Sequence, residues 1–324
     1  TPSNSSAASD VYKRQVYMSY LAIVDLGSNS ARMVVEELHD DGTHTELIRE
    51  KRDTRIAQNM GEELLLKETP ILRTIEALKY FQSKYINFHP KVRAITTAAV
   101  RMAKNQTEFL DRVARETGIQ FQVLTGDQEA YYDYLGVIST LNVTEGVILD
   151  TGGASVELIA VDNRRSKEAV SLSFGAVTLS EQYHLANNIM PNNLASASDY
   201  ILSQYNTLQW LETQYQKPVI LLGGANRSLA RMARTRLGET EVSMIHGFEM
   251  PVDLVEQIFE EIRQMTRKER EKIAGLETSR ADIIVSGLLP LLNLMRKINS
   301  PKVIFSESGV REGLIAETLA QQDE

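Results

Sequence analysis

Cysteine is absent from this 324-residue sequence, and its absence removes disulfides, thiolate nucleophiles and cysteine-type zinc sites together. A reducing, cytoplasmic setting is the expectation. No stretch approaches the roughly 20 apolar residues that a membrane helix needs, so no membrane partner is expected. An excess of positive charge is also missing. Lys and Arg number 35 against 43 Asp and Glu, a net charge of −8, which excludes a protein that coats nucleic acid through bulk charge. Any polyanionic ligand must therefore meet a local site. The five histidines show no metal-ligand spacing, so zinc is not expected. The Walker pattern G-x-x-x-x-G-K-[ST] does not occur either.

The length suggests two domains at roughly 100–200 residues each. Residues 1–17 (TPSNSSAASDVYKRQVY) are polar and carry nothing periodic to bury, and are read as a disordered or non-native leader, with Met18 as the natural start. The remainder is divided into residues 18–130 and 131–324. A strand Tyr20–Val24, a small-residue turn Asp25-Leu26-Gly27-Ser28-Asn29-Ser30 and a strand Ala31–Val35 are followed, at an offset of 125 residues, by the same pattern. There a strand Gly146–Leu149 leads through Asp150-Thr151-Gly152-Gly153-Ala154-Ser155 into Val156–Val161. The chain thus reads as internally duplicated, each half opening on an equivalent hairpin. Small side chains let backbone N–H groups approach an anion closely, and two such turns facing each other would clasp a phosphate chain. An Asp ending a buried strand at such a turn calls for a cation, for which Mg²⁺ is the natural choice. Either turn taken alone also reads as an ordinary hairpin turn.

Between the hairpins the pattern alternates. Thr69-Pro70 reads as N-cap and first residue of a helix carrying Ile71, Ile75, Leu78 and Tyr85. A strand Val92–Thr96 follows, then a helix through Phe109 and Val113 capped by Asn105 or Thr107 and closed by Gly118, then a strand Phe121–Leu124. In this α/β order, ligand sites lie at the carboxyl ends of strands. Asp127 is expected to cap the next helix, placing Glu129 in its first turn near the junction of the halves. There a carboxylate could deprotonate a water, although a first-turn Glu also suits the helix dipole alone. A third turn, Gly223-Gly224-Ala225-Asn226-Arg227-Ser228, follows strand Val219–Leu222 and opens a helix, an anion site by its N-terminus and Arg227. A last strand, Val303–Phe305, leads to Ser306-Glu307-Ser308-Gly309-Val310-Arg311-Glu312-Gly313, which also reads as ordinary strand–turn–helix packing.

Six segments in order, AIVDLGSNSARMVV, ITTAAVRMAKNQTEFL, LTGDQEAYYDYLGV, VILDTGGASVELI, LLGGANRSLAR and ESGVREGL, resemble the motifs of the exopolyphosphatase/guanosine pentaphosphate phosphatase (Ppx/GppA) family over about Tyr20 to Glu317. The resemblance implies two actin-like (ribonuclease H-like) α/β domains with a phosphate-binding cleft between them. It also implies a Mg²⁺-dependent phosphoanhydride hydrolase, an exopolyphosphatase acting on inorganic polyphosphate or on the 5′ phosphate of guanosine pentaphosphate, and a homodimer. By position it makes Glu129 the catalytic carboxylate and Arg101 a phosphate contact acting with it. Asp25, Asp150 and Glu157 become the metal-positioning acids, and Gly27, Ser28, Asn29 and Ser30, with Gly152, Gly153, Ala154 and Ser155, the phosphate turns. Gly223, Gly224, Asn226 and Arg227 are further substrate contacts. The chain departs from the pattern at Ala154 and Val156, where many members have Gly and Thr, and in the third turn, where Asn226-Arg227-Ser228 replaces a Gly-Thr-type run. Alanine needs φ below zero or strain, and valine removes a donor. The chain resembles the short form of the family, for which lower processivity is expected. An ATP-dependent small-molecule kinase of the same superfamily, and a non-enzymatic actin-like filament or nucleotide-sensing module, are the competing readings.

Overall fold

The structure, a computed structural model, describes residues 19–39 and 41–321; the leader expected over residues 1–17 lies outside them. In chain order the elements of the first half are β1 (Ser19–Leu26), β2 (Ala31–Leu38), β3 (His44–Arg52), α1 (Glu68–Tyr85), β4 (Lys91–Thr96), α2 (Ala98–Met102), α3 (Gln106–Thr117), β5 (Phe121–Val123) and α4 (Gly126–Thr140). There follow β6 (Glu145–Thr151), β7 (Val156–Asp162), β8 (Arg165–Leu172), α5 (Ala176–Gln182), α6 (Pro191–Asn206), β9 (Val219–Gly223) and α7 (Gly224–Arg236). The chain continues through β10 (Glu249–Pro251), α8 (Val252–Gln264), α9 (Arg267–Arg270), α10 (Ile284–Ile298), β11 (Lys302–Phe305) and α11 (Val310–Ala320).

Two mixed sheets result, ordered β3-β2-β1-β4-β5 and β8-β7-β6-β9-β11-β10. In each, an antiparallel meander joins two parallel strands at its first strand. The duplication extends to detail. The β2–β3 register shifts between Val35 and Glu36, and β7–β8 shifts between Ala160 and Val161, which are the same positions at the 125-residue offset. Bulges are built features of a strand pair, so their recurrence supports a common plan.

Apolar faces decide the layers. One face of the first sheet packs on α1 and α3 through Ile71, Leu78, Phe81, Phe109 and Val113. One face of the second packs on α6, α7, α8 and α10. Helix α4 serves both sheets. Its Tyr132 joins Leu21, Ile23 and Ile95 of the first sheet, together with Leu314 and Ile315 of α11, whereas its Ala130 and Val137, with Leu141 just past its end, join Ile148, Ile159 and Ile220 of the second. The last helix of the chain therefore covers the first sheet, and the start of α4 stands where both sheets converge.

Two helix starts differ from expectation. Thr125, not Asp127, caps α4, its hydroxyl accepting from the Gln128 N–H at 3.2 Å while Gln128 Oε1 accepts from the Thr125 N–H at 3.0 Å; this reciprocal box outcompetes a lone Asp. Helix α1 begins at Glu68 after Lys67, so Thr69 and Pro70 fall within its first turn. Asn105 does precede α3, and Gly118 closes it at φ 70°.

Candidate active site

The two hairpin turns are built alike. Gly27 N–H donates to Ser30 O at 3.1 Å, and Gly152 N–H to Ser155 O at 3.0 Å. They also face each other: a Cβ on Gly153 would lie 2.7 Å from Ser28 Cβ, so only glycine permits this approach. Ala154 is fully buried and is not among the described residues with positive φ, so the strain considered for it does not arise.

Around the turns lies a cavity of about 300 Å³ lined from both sheets. Gly27, Ser28, Asn29, Ser30, Gly152, Gly153, Ser155, Gly223, Gly224, Arg227, Asp25, Asp150 and Glu129 all border it. Asn29 does so with both side-chain polar atoms unpartnered. Ala154, Asn226, Glu157 and Arg101 are not among the lining residues. Asn226 turns its amide inward to Leu222 O at 2.6 Å. The first residues of α7 and α11, Gly224 and Val310, border the cavity, presenting positive helix ends to it.

Seven cationic side chains line the walls. Sequence reasoning named Arg227 as a ligand but not Arg32 or Arg280, and these three press on one another. Burial, then Arg32 and Arg280, push the Arg227 guanidinium down to about 9; burial likewise lowers Arg32, against the pull of Asp25. Like charges crowded in a desolvated pocket favour the approach of an anion.

Opposite stands a carboxylate group. Ligand atoms of Asp133, Asp150 and Glu157 lie within 4.8 Å of one another. Asp25, expected among the metal acids, is not in this set, for its cross-strand partner is Arg32. At the equivalent position of the second hairpin Asp150 faces Glu157. One hairpin thus pairs acid with base and the other acid with acid. Asp133 was missed by the sequence reading, though a signal existed: it follows Glu129 by four residues, on the same helix face. It is fully buried, and its oxygens, like Asp150 Oδ1 and Glu157 Oε2, have no well-formed hydrogen-bond partner, with the backbone N–H of Val310 close enough to favour the charged form of Asp133. Burial raises all three; Asp150 and Glu157 push Asp133 further up, and Glu129 and Asp150 do the same to Glu157. Orphaned oxygens of this kind suit a hard divalent cation.

Glu129 is 7% exposed. Burial, offset in part by Arg101 and reinforced by Asp150 and Asp25, places its pKa at about 7. Arg101 Nη1 donates to Glu129 Oε2 at 2.9 Å and to Leu124 O at 2.9 Å. Its other arm reaches Ser171 Oγ at 3.5 Å, which in turn donates to Glu157 Oε1 at 2.7 Å. Arg101 thus links Glu129 to the acid cluster.

The sequence profile of the Ppx/GppA phosphatase family matches residues 34–322. Among solved structures, the chain is similar to an Aquifex aeolicus member of that family, at 26% identity and a TM-score of 0.78, with 95% of this chain and 99% of that one covered. It is also similar to an exopolyphosphatase from Cytophaga hutchinsonii, at 20% identity and a TM-score of 0.87, with 94% and 98% covered. The fold expected from the sequence, two actin-like α/β halves, is the fold observed. No helix among the described residues is long and apolar enough to cross a membrane.

Proposed function

Because the chain belongs to the Ppx/GppA phosphatase family, we propose that its cavity releases terminal phosphate from inorganic polyphosphate, and the 5′ phosphate from guanosine pentaphosphate, by metal-assisted attack of water. The observation that carries this reading is Glu129, a buried carboxylate with a pKa of about 7, bordering a cavity that holds a cationic wall and an acidic cluster together. A base poised near the operating pH is the requirement for removing a proton from water. Arg101 donates to the Glu129 carboxylate and favours its ionised form against the effect of burial. Backbone N–H groups of the two turns, with Arg32 and Arg227, hold the phosphate oxygens and neutralise charge in a loose transition state.

Asp133, Asp150 and Glu157 would hold Mg²⁺, which when bound supplies positive charge to the phosphoryl oxygens. Asp25 lies across the hairpin from Arg32, whose charge favours its ionised form, and it borders the same cavity. A Cys-free chain is consistent with a cytoplasmic site of action. The test is phosphate release in the presence of Mg²⁺ from long polyphosphate, short polyphosphate, guanosine pentaphosphate and ATP side by side. Release from polyphosphate is expected; turnover of ATP alone would overturn the reading in favour of a nucleotide-consuming enzyme.

A further inference from the structure

Outward from the turns, one carboxylate sits among cations. Glu277 precedes a short 3₁₀ turn, Thr278–Arg280. Its Oε2 accepts from Lys51 Nζ at 2.5 Å and from Arg280 Nε at 3.1 Å, and its Oε1 accepts from Arg231 Nη2 at 2.9 Å. Lys51 comes from β3 and Arg231 from α7, so the carboxylate ties the two halves across the cavity that all four residues line. Burial pushes Glu277 up, but Arg280, Lys51 and Arg231 together outweigh it and hold the carboxyl well below the usual range.

The cluster is continuous with the inner site. A Cβ on Gly224 would fall 2.1 Å from Arg280 Cζ, so the guanidinium lies flat on the glycine that opens α7. The neighbouring Gly223 also lies close to Asp150, 2.6 Å from a Cβ there to Asp150 Oδ1. From Asp150 the cavity wall runs past Gly223 and Gly224 to Arg280, and on to the cations that Glu277 occupies.

We propose that Glu277 is a specificity-determining residue: a built-in anion that fills the Lys51, Arg231 and Arg280 position until a substrate long enough to reach it takes its place. This rests on the polyphosphatase reading of the inner site, but its consequence concerns binding. A short polyanion held at the turns does not meet Glu277; a long one must displace it, exchanging one set of charge-assisted hydrogen bonds for another.

The experiment compares Glu129→Gln with the double variant Glu129→Gln/Glu277→Gln, so that hydrolysis does not obscure binding, and measures calorimetric affinity for tripolyphosphate and for long-chain polyphosphate. Removing the competing charge is expected to tighten long-chain binding by roughly 3- to 10-fold, the worth of a few partly exposed ion pairs, while tripolyphosphate affinity stays within twofold. Glu277→Asp in the same background keeps the charge and is expected to restore most of the competition. Equal or weaker long-chain binding in the Gln variant would show that Glu277 merely props the cations, and would overturn the proposal. Absence of phosphate release by the unaltered protein from every substrate is a separate result, and it would fall on the proposed function alone.

Discussion

At Glu129 two influences oppose each other. Burial favours the neutral acid, and Arg101 favours the carboxylate; the balance near neutrality is what a proton acceptor needs. Glu129→Gln keeps the shape and a hydrogen bond to Arg101 but removes the basic oxygen. Turnover is expected to fall roughly 10²–10⁴-fold, the usual worth of a positioned base, with the far-ultraviolet circular dichroism spectrum and polyphosphate binding retained. Near-normal phosphate release would remove Glu129 from that role. Asp133 has the opposite environment, with no cation on its oxygens. Asp133→Asn is expected to weaken Mn²⁺ binding, read by electron paramagnetic resonance, by at least the roughly 10–100-fold that loss of a metal ligand's outer partner costs. Unchanged Mn²⁺ affinity would take Asp133 out of the ion's shell. These residues differed in legibility for a physical reason. Glu129 and Asp150 stood in small-residue motifs, whereas Asp133 lies inside a helix pattern full of apolar and aromatic neighbours, where a lone acid reads as surface. Arg280 packs against Gly224 and acts on Arg227 across the cavity wall, and no local sequence signal announces that.

Among elements, the strands flanking the turns were read within a few residues because their apolar runs are continuous and buried. Strands β3 and β8 went unread: HTELIREKR and RSKEAVSL lie at sheet edges and are mostly exposed, so their charges follow from negative selection against edge pairing and not from any two-residue alternation. The turn-to-turn contact was anticipated as facing clasps, and its tightness can be probed. Gly153→Ala would bring a methyl to 2.7 Å from Ser28 Cβ, an atom attached directly to the backbone, so the hairpins must part. The expected result is a loss of about 1–3 kcal/mol in stability, typical of overpacking. A larger proportional loss of phosphate release should accompany it, since donors displaced by about 1 Å lose roughly 10²-fold in effect. A lowered melting temperature with undiminished turnover would mean that the two turns do not act on one phosphate chain together.

For the whole molecule, the carboxylates bordering or backing the cavity make stability a function of pH and metal jointly. Asp25, Glu129, Asp133, Asp150 and Glu157 all have raised pKa values, burial being the first cause in each. Each is easier to protonate in the folded chain than in the unfolded one. The stability they lend is thus fully present below the ordinary carboxylate pKa of about 4 and is lost as pH rises through the folded values, which for Glu129 means through about 7. Without divalent metal, the melting temperature should accordingly fall between pH 5.5 and pH 8 as far as these groups control it. A cation binding the ionised cluster reverses the loss, since a ligand present at 100 times its dissociation constant stabilises by about 2.7 kcal/mol. Mg²⁺ is therefore expected to raise the melting temperature strongly at pH 8 and little at pH 5.5, where protons occupy the same oxygens. Asp133→Asn, by removing one of the buried charges and one ligand, should flatten both the pH dependence in chelator and the Mg²⁺ response. An equal Mg²⁺ shift at the two pH values would show that the ion binds elsewhere, and the acidic cluster between the sheets would then be a proton store and not a metal site.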